Sequence, residues 1–500
     1  MPAYDSVVIG GGASGMSAAI ALAKMGRKTA LVEASSRLAP TLQGFRRKGL
    51  FFDTGVHYVG ELGQGHVLDT YFRFLGIRQD LQERELPVEG FLGVRSPDIG
   101  EDFFVSHGPD RLKHDLFRLR PGREREVRAF FRECRNYWTS SPYLTFRETG
   151  KSSLESYIRQ NISVGHFLRE NVPDPGLRAI FSYPAILAGV EPCAATLQVH
   201  AQIFGSYLRS VHHIRGGGVE LVRAFSRSLE RNGVDVFLGN RASRLELDDL
   251  RQVNSVHLAD GQKLRTSTCV YTGSPTLIPN LLAGRGLRPA QQQRFAGMRE
   301  TMSGFVVYAR LKGSDHGIMD VPNWLVLRDR GWLRFVGVEE KDGPSGLHLS
   351  LTEEENGEIG VIVIAPSFFS GFEKWADTTS GRRPADYKEY KTRLADKLLD
   401  AVSRQIPELK GRLEPVAAST PLTFRDYCGT PRGGLYGTCK SVDQYPLLPM
   451  TKIPGLFLAG QGVIAPGVLG AVISGMVACG MIVGEKELLE QVVRCKCKEL

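Results

Sequence analysis

The first 33 residues constrain this chain most. Ser6-Val7-Val8-Ile9 is a short apolar run suited to a buried parallel strand. It runs straight into Gly10-Gly11-Gly12-Ala13-Ser14-Gly15, a G-x-G-x-x-G turn, and then into helically spaced apolar residues at Met16, Ala19, Ile20 and Ala23. Gly26 ends the helix, Thr29 to Val32 makes a second strand, and Glu33-Ala34 follows it. The glycines have separate physical roles. Gly10 allows the tight turn, Gly12 lets a pyrophosphate approach the backbone, and Gly15 lets helix and strand pack closely. The helix N-terminus at Ala13 and Ser14 offers amide donors and a favourable dipole to phosphate, and Glu33 stands where a carboxylate can accept from ribose hydroxyls. A glycine turn alone is weak evidence. Strand, turn, helix, strand and acid in this order specify a dinucleotide site, without separating FAD from NAD.

With 500 residues, 42% of them apolar, the chain can bury large cores. A net charge of +9 favours anionic partners, but no basic-aromatic module of a nucleic-acid binder is present, so nucleic acid is set aside. The eight cysteines form no C-x-x-C, which argues against a metal site and reads as reduced thiols of a cytoplasmic protein. The N-terminus lacks the basic start of a signal peptide. The stretch from Ile453 to Gly484 is uncharged, but glycines and prolines interrupt it. Its clean helical part, Leu469 to Val483, would be about 22 Å long, short of a bilayer core of about 30 Å. Strand, loop and buried helix are expected there.

Further segments carry a family resemblance. Gly49-Leu50-Phe51-Phe52-Asp53-Thr54-Gly55-Val56-His57-Tyr58-Val59-Gly60 resembles the FDTG-x-HY stretch of the retinol saturase, carotenoid isomerase and phytoene desaturase family of flavoproteins. The segments Phe181-Ser182-Tyr183-Pro184, Arg215-Gly216-Gly217-Gly218 with the following helix and the strand Val234-Asp235-Val236, and Gly433-Gly434-Leu435-Tyr436-Gly437 are similar to the same family. So is Gly455-Leu456-Phe457-Leu458-Ala459-Gly460-Gln461 with Pro466-Gly467-Val468. The resemblance spans nearly the whole chain and implies FAD as cofactor, held by the N-terminal fingerprint, Val236 and the C-terminal residues Gly460, Gln461, Gly467 and Val468. Two positions depart from it. Ala39-Pro40 stands where a Gly-Gly doublet faces the FAD phosphates, and Gly462 stands where an acid often follows the Gly-Gln. Each departure either weakens FAD binding or is offset by backbone contacts.

The implied fold is α/β: a Rossmann-type FAD-binding domain, with a doubly wound parallel sheet plus a β-ribbon, and a discontinuous α+β substrate domain. The FAD-binding pieces are expected at 1–80, 210–275 and 415–490, the substrate domain at 81–209 and 276–414, and a charged tail at 491–500. The ribbon should turn at Asp260-Gly261 and return to Gly273, a glycine fit to pass near the dinucleotide. Strands are expected at Phe305–Leu311, Trp332–Val338, Leu347–Leu351 and Gly360–Ile364, and a helix from Ala385 to Gln405. Arg111 to Arg135 holds nine cations with interleaved aromatics, either an amphipathic element for peripheral contact with an anionic membrane or a solvated helix paired with Glu124, Glu126 and Glu133.

What the resemblance implies chemically is the saturation or desaturation of carbon–carbon double bonds in an apolar polyene or related lipid. A redox-neutral isomerase, an amine oxidase and a non-catalytic flavin scaffold are the other readings. Reduction needs a proton donor, for which His57 and Tyr58 are candidates, with His200, Tyr207 and Tyr436 behind them. No second G-x-G-x-x-G is present, so reducing equivalents would come from free NAD(P)H, a partner protein or a membrane quinone.

Overall fold

A computed structural model describes residues 2–147, 162–313, 321–328, 334–354 and 356–497. Ser6–Ile9 is the middle strand of a five-stranded, all-parallel sheet in the order Asp235–Phe237, Thr29–Val32, Ser6–Ile9, Cys269–Tyr271, Leu456–Leu458. All four residues of the opening strand are buried, which is why it reads as a continuous apolar run and not an alternating one. The helix Ala13–Lys24 covers the sheet and packs against the long apolar helix Gly467–Val483. Small residues permit that approach: a Cβ at Gly475 would lie 2.5 Å from the carbonyl oxygen of Ser14. The uncharged C-terminal stretch is thus strand, loop and buried helix, the helix starting at Gly467 instead of Leu469. Among the described residues no helix is long and apolar enough to cross a membrane. The ribbon is three antiparallel strands, Ala242–Leu247, Val253–Leu258 and Lys263–Arg265, with Gly261 at φ +91° in its turn.

A second sheet has seven strands in the order Leu413–Ser419, Ser303–Leu311, Ile359–Ser367, Gly346–Glu353, Asn323–Leu327, Leu92–Arg95, Phe103–Val105. It is antiparallel except between Asn323–Leu327 and Leu92–Arg95. Side chains alternate across it. Phe305, Val307, Leu347, Leu349, Val361 and Val363 share a core with Leu394, Leu398 and Val402 of the helix Ala385–Gln405. The alternate residues Val306, Tyr308, His348 and Ile364 look the other way, into the cavity described below.

The arginine-rich stretch forms two helices, Pro109–Leu119 and Glu124–Thr139. Its aromatics point inward: Phe130 stacks on Phe181 with ring centroids 4.1 Å apart and meets Phe204 edge-on at 4.9 Å. Its cations split. Arg120 pairs with Asp174 and Arg123 with Glu126, while Arg125, Arg128, Arg132 and Arg135 stand exposed on one face with no carboxylate partner among the described residues.

Four expectations are corrected. The strand Leu413–Ser419 crosses the boundary drawn at 415 and belongs to the seven-stranded sheet. Glu83–Glu85 pairs with Val211–Ile214, which also pairs with Val59–Gly60, so strand pairing crosses the boundary at 80. The supposed tail from 491 begins inside a helix, Glu485–Arg494, because Leu488, Leu489 and Val492 form an apolar stripe that is buried, while 498–500 lie outside the described residues. Of the strand expected at Trp332–Val338, residues 332 and 333 lie outside the described residues, and 334–338 are not in a strand.

Candidate active site

A cavity of about 1140 Å³ runs from the N-terminal glycine turn to the seven-stranded sheet. Single small-molecule sites typically measure about 300–1,000 Å³, so this one has room for a dinucleotide and a second ligand. Gly10, Gly12, Ala13, Ser14, Glu33 and Ala34 line one end. Gly10 adopts φ +107°, and its Cα faces Thr272, whose hydroxyl donates to the Ile9 carbonyl at 3.0 Å. Nothing lies within 4 Å of where a Gly12 Cβ would be, so that backbone is open to a ligand. Ser14 is buried at the first helical turn and its hydroxyl has no partner among the described residues. The Glu33 carboxylate accepts from the amides of Gly11 at 2.6 Å and Ser35 at 2.7 Å, which fixes it at the strand end. An open glycine, an orphaned hydroxyl and two helix N-termini, those of Ala13–Lys24 and Gly467–Val483, fit a pyrophosphate-containing cofactor. Gly273, Gly460, Gln461, Gly467 and Val468 continue the lining. Gly460, at φ +110°, donates its amide to Ser474 Oγ at 3.0 Å, and Gln461 Nε2 donates to the Leu435 carbonyl at 3.2 Å.

The other end is lined by His57, Tyr58, Tyr207, Tyr436 and His348, with Val306, Ile364, Ala417 and Phe424 around them. The His57 and His348 ring centroids lie 6.1 Å apart, and those of Tyr58 and Tyr207 lie 5.3 Å apart. Burial, with His213 nearby, pulls His57 down to about 4. Burial, with His57 nearby, pulls His348 down to about 3. Burial raises the Tyr58 and Tyr207 phenols and brings Tyr436 to about 12. These five rings are therefore neutral at neutral pH.

Three sequence candidates fall outside the cavity lining. His200 is a core residue: its Nε2 donates to the Phe181 carbonyl at 2.7 Å and its ring meets Phe130. Val236 is 38% exposed on the edge strand, paired with Leu31. Gly15 packs directly on the Gly10 carbonyl, the helix–strand contact expected of it. Sequence reasoning missed His348, whose clue is its polar place in an alternating strand, and Lys440. The Lys440 ammonium is buried and donates to the carbonyls of Thr438, at 3.2 Å, and Gly462. Burial brings it down to about 7. At Gly462 a Cβ would lie 3.0 Å from Thr438 Oγ1 and 3.2 Å from its amide nitrogen, so the acid often found there would be crowded and Thr438 would have to give by a few tenths of an ångström. Ala39 takes the left-handed conformation, φ +39°, that a glycine would adopt.

A family model described as flavin containing amine oxidoreductase matches residues 13–483. All-trans-retinol 13,14-reductase of Danio rerio is 24% identical over 529 aligned residues, covering 97% of this chain and 86% of its own. The neurosporene-forming phytoene desaturase of Cereibacter sphaeroides is 23% identical, covering 94% of each chain. The crystal structure of an oxidoreductase from Methanosarcina mazei superposes with a TM-score of 0.64 over 94% of this chain and 98% of its own, at 12% identity, a likeness of fold.

Proposed function

The chain belongs to the flavin-containing amine oxidoreductase family, and we propose that it adds hydrogen to, or removes it from, the double bonds of an apolar polyene. It is an FAD-dependent oxidoreductase. Relatives of matching length are named for retinol and phytoene, one a polyene alcohol and the other a hydrocarbon. The observation that carries the reading is the continuity of one cavity, from a phosphate cradle to a wall of sheet aliphatics and neutral rings. Among the described residues lining it, Glu33 is the one carboxylate, and it is held at the cradle end. An ammonium substrate would find no counter-charge beyond the cradle. A long hydrocarbon would bury apolar surface there, worth about 0.8 kcal/mol per CH₂.

Gly10, Gly12, Ala13, Ser14, Glu33 and Ala34 would hold the adenine dinucleotide, and Gly273, Gly460, Gln461, Gly467 and Val468 its flavin half. Bound FAD supplies hydride transfer to or from carbon. The chain's own contribution is to exclude water, align a conjugated double bond and manage one proton. His57 and Tyr58, neutral in the cavity wall, would hand that proton over. With no second dinucleotide fingerprint, free NAD(P)H, a partner protein or a membrane quinone would supply the reducing equivalents. The exposed face of Arg125, Arg128, Arg132 and Arg135 would hold the protein at an anionic membrane, where such substrates dissolve.

The test is anaerobic: reduce the bound flavin, add polyenes, and follow flavin reoxidation together with product mass. A gain of two hydrogens in the product supports the saturase direction, and loss of two with oxidised flavin supports the reverse. An altered product of unchanged mass means isomerisation. Peroxide released from amines, with polyenes untouched, would overturn the reading.

A further inference from the structure

His348 sits in the strand Gly346–Glu353, whose alternation sends Leu347, Leu349 and Leu351 into the core and His348 to the cavity. Its sheet neighbour on that face is Ile364, also on the cavity wall. An aliphatic side chain would suit the position. Instead His348 is 6% exposed and neither ring nitrogen has a partner among the described residues. The same is true of His57 Nδ1 and the Tyr58 hydroxyl, whose rings lie 6.1 and 6.4 Å from His348 by centroid. Four unpaired, buried hydrogen-bonding atoms thus gather at one place in the wall of one cavity. Buried polar atoms are seldom left in this state unless a ligand completes them.

We propose that His348, with His57 opposite, receives a neutral hydrogen-bonding group, a hydroxyl or carbonyl, carried by the otherwise apolar substrate. This rests on the polyene reading above and narrows it to polyenes with such a group. Neutral imidazole presents one donor and one acceptor, which suits a hydroxyl, and the soft terminal torsion of histidine lets either nitrogen turn toward the cavity. Burial keeps both rings uncharged, so they offer a carboxylate or phosphate no positive charge to pair with. A pure hydrocarbon would leave all four atoms unpaired.

The experiment uses the FAD-loaded enzyme and four compounds sharing one polyene chain: the alcohol, the aldehyde, the acid and the methyl-terminated hydrocarbon. Binding is read from the polyene absorbance, and turnover from flavin reoxidation. The alcohol and aldehyde should bind about tenfold or more tightly than the hydrocarbon and the acid. His348→Leu should raise KM for the alcohol about tenfold, with kcat within a few-fold and hydrocarbon binding unchanged or tighter. His348→Gln, which keeps a neutral donor and acceptor, should recover part of the loss. Equal affinity of the wild type for alcohol and hydrocarbon would overturn the proposal without any variant. So would an equal loss for both in His348→Leu, or an effect confined to the flavin spectrum and FAD affinity, which would assign the ring to the cofactor. Selective binding of the alcohol without turnover of any compound would uphold the docking point while removing the proposed reaction.

Discussion

Replacing Asp53 by Asn should stabilise the protein at neutral pH and mildly destabilise it in acid. Asp53 is 2% exposed at the start of the helix Gly217–Arg231, where its Oδ1 accepts from the Gly218 amide at 2.9 Å. Burial outweighs that hydrogen bond and raises the carboxyl from 3.8 to about 6. A folded-state value above the unfolded one means that the folded protein binds the proton more tightly. Its contribution therefore grows as pH falls from about 6 to about 4 and is a penalty above that window. Two units correspond to about 3 kcal/mol. The amide of Asn keeps an oxygen for Gly218 but brings donors that need partners, at a cost of about 1–2 kcal/mol. A net gain of about 1–2 kcal/mol at pH 7.5, turning into a net loss of about 1 kcal/mol at pH 4 where only the cost of the amide donors remains, is expected from urea unfolding of both proteins at equal free FAD. The buried histidines His57, His200 and His348 act in the opposite sense. Their lowered values make stability fall as pH drops from 6.5 toward 4, but they are common to both proteins and cancel in the difference. A wild-type minus variant difference that does not change with pH would refute the assignment of the penalty to Asp53.

Ala39→Gly should relieve the left-handed backbone at φ +39°, raising stability by up to about 1 kcal/mol and tightening FAD binding, measured by thermal unfolding and flavin titration. Gly218→Ala should do the reverse, since its Cβ would overlap the Leu42 carbonyl oxygen. A loss of at least about 2 kcal/mol and release of flavin on mild heating are expected. Reversing Arg125, Arg128, Arg132 and Arg135 to Glu should abolish sedimentation with phosphatidylserine vesicles at low salt while leaving turnover of detergent-dispersed substrate intact. At about 1 kcal/mol per cation, the four arginines account for roughly a thousandfold in partitioning.

The cofactor end was legible because its determinants are local. Gly10, Gly12 and Glu33 fall within one strand–helix–strand unit, and their backbone roles follow from residue type. The polar cluster at the other end was half legible. His57 and Tyr58 could be singled out beside the FDTG turn, but His348 reaches them only through the register of a seven-stranded sheet assembled from residues 92 to 419. His200 misled for a related reason. Its Nε2 partner, the Phe181 carbonyl, comes from the helix Pro175–Phe181, two helices earlier, and is invisible to spacing. The charged C-terminus misled by composition: Leu488, Leu489 and Val492 already mark a buried helical stripe among the charges.

The two departures from the family pattern show how backbone geometry can outlast a motif. At Ala39 the chain takes the glycine-like conformation without the glycine. Its amide donates to the Gly11 carbonyl at 3.0 Å and its carbonyl accepts from Leu42 at 2.9 Å, so the loop stays tied to the phosphate turn. At Gly462 Thr438 crowds the position a side chain would take, and Lys440 grips the carbonyl from behind. Under the proposed reading, peptide groups hold the cofactor's flavin half where an acidic side chain would otherwise do so. Behind them stands the buried Lys440 amine, which burial brings down to about 7. Restoring an acid at 462 alone should accordingly harm the site, because the carboxylate would have to displace Thr438 before it could reach a ligand.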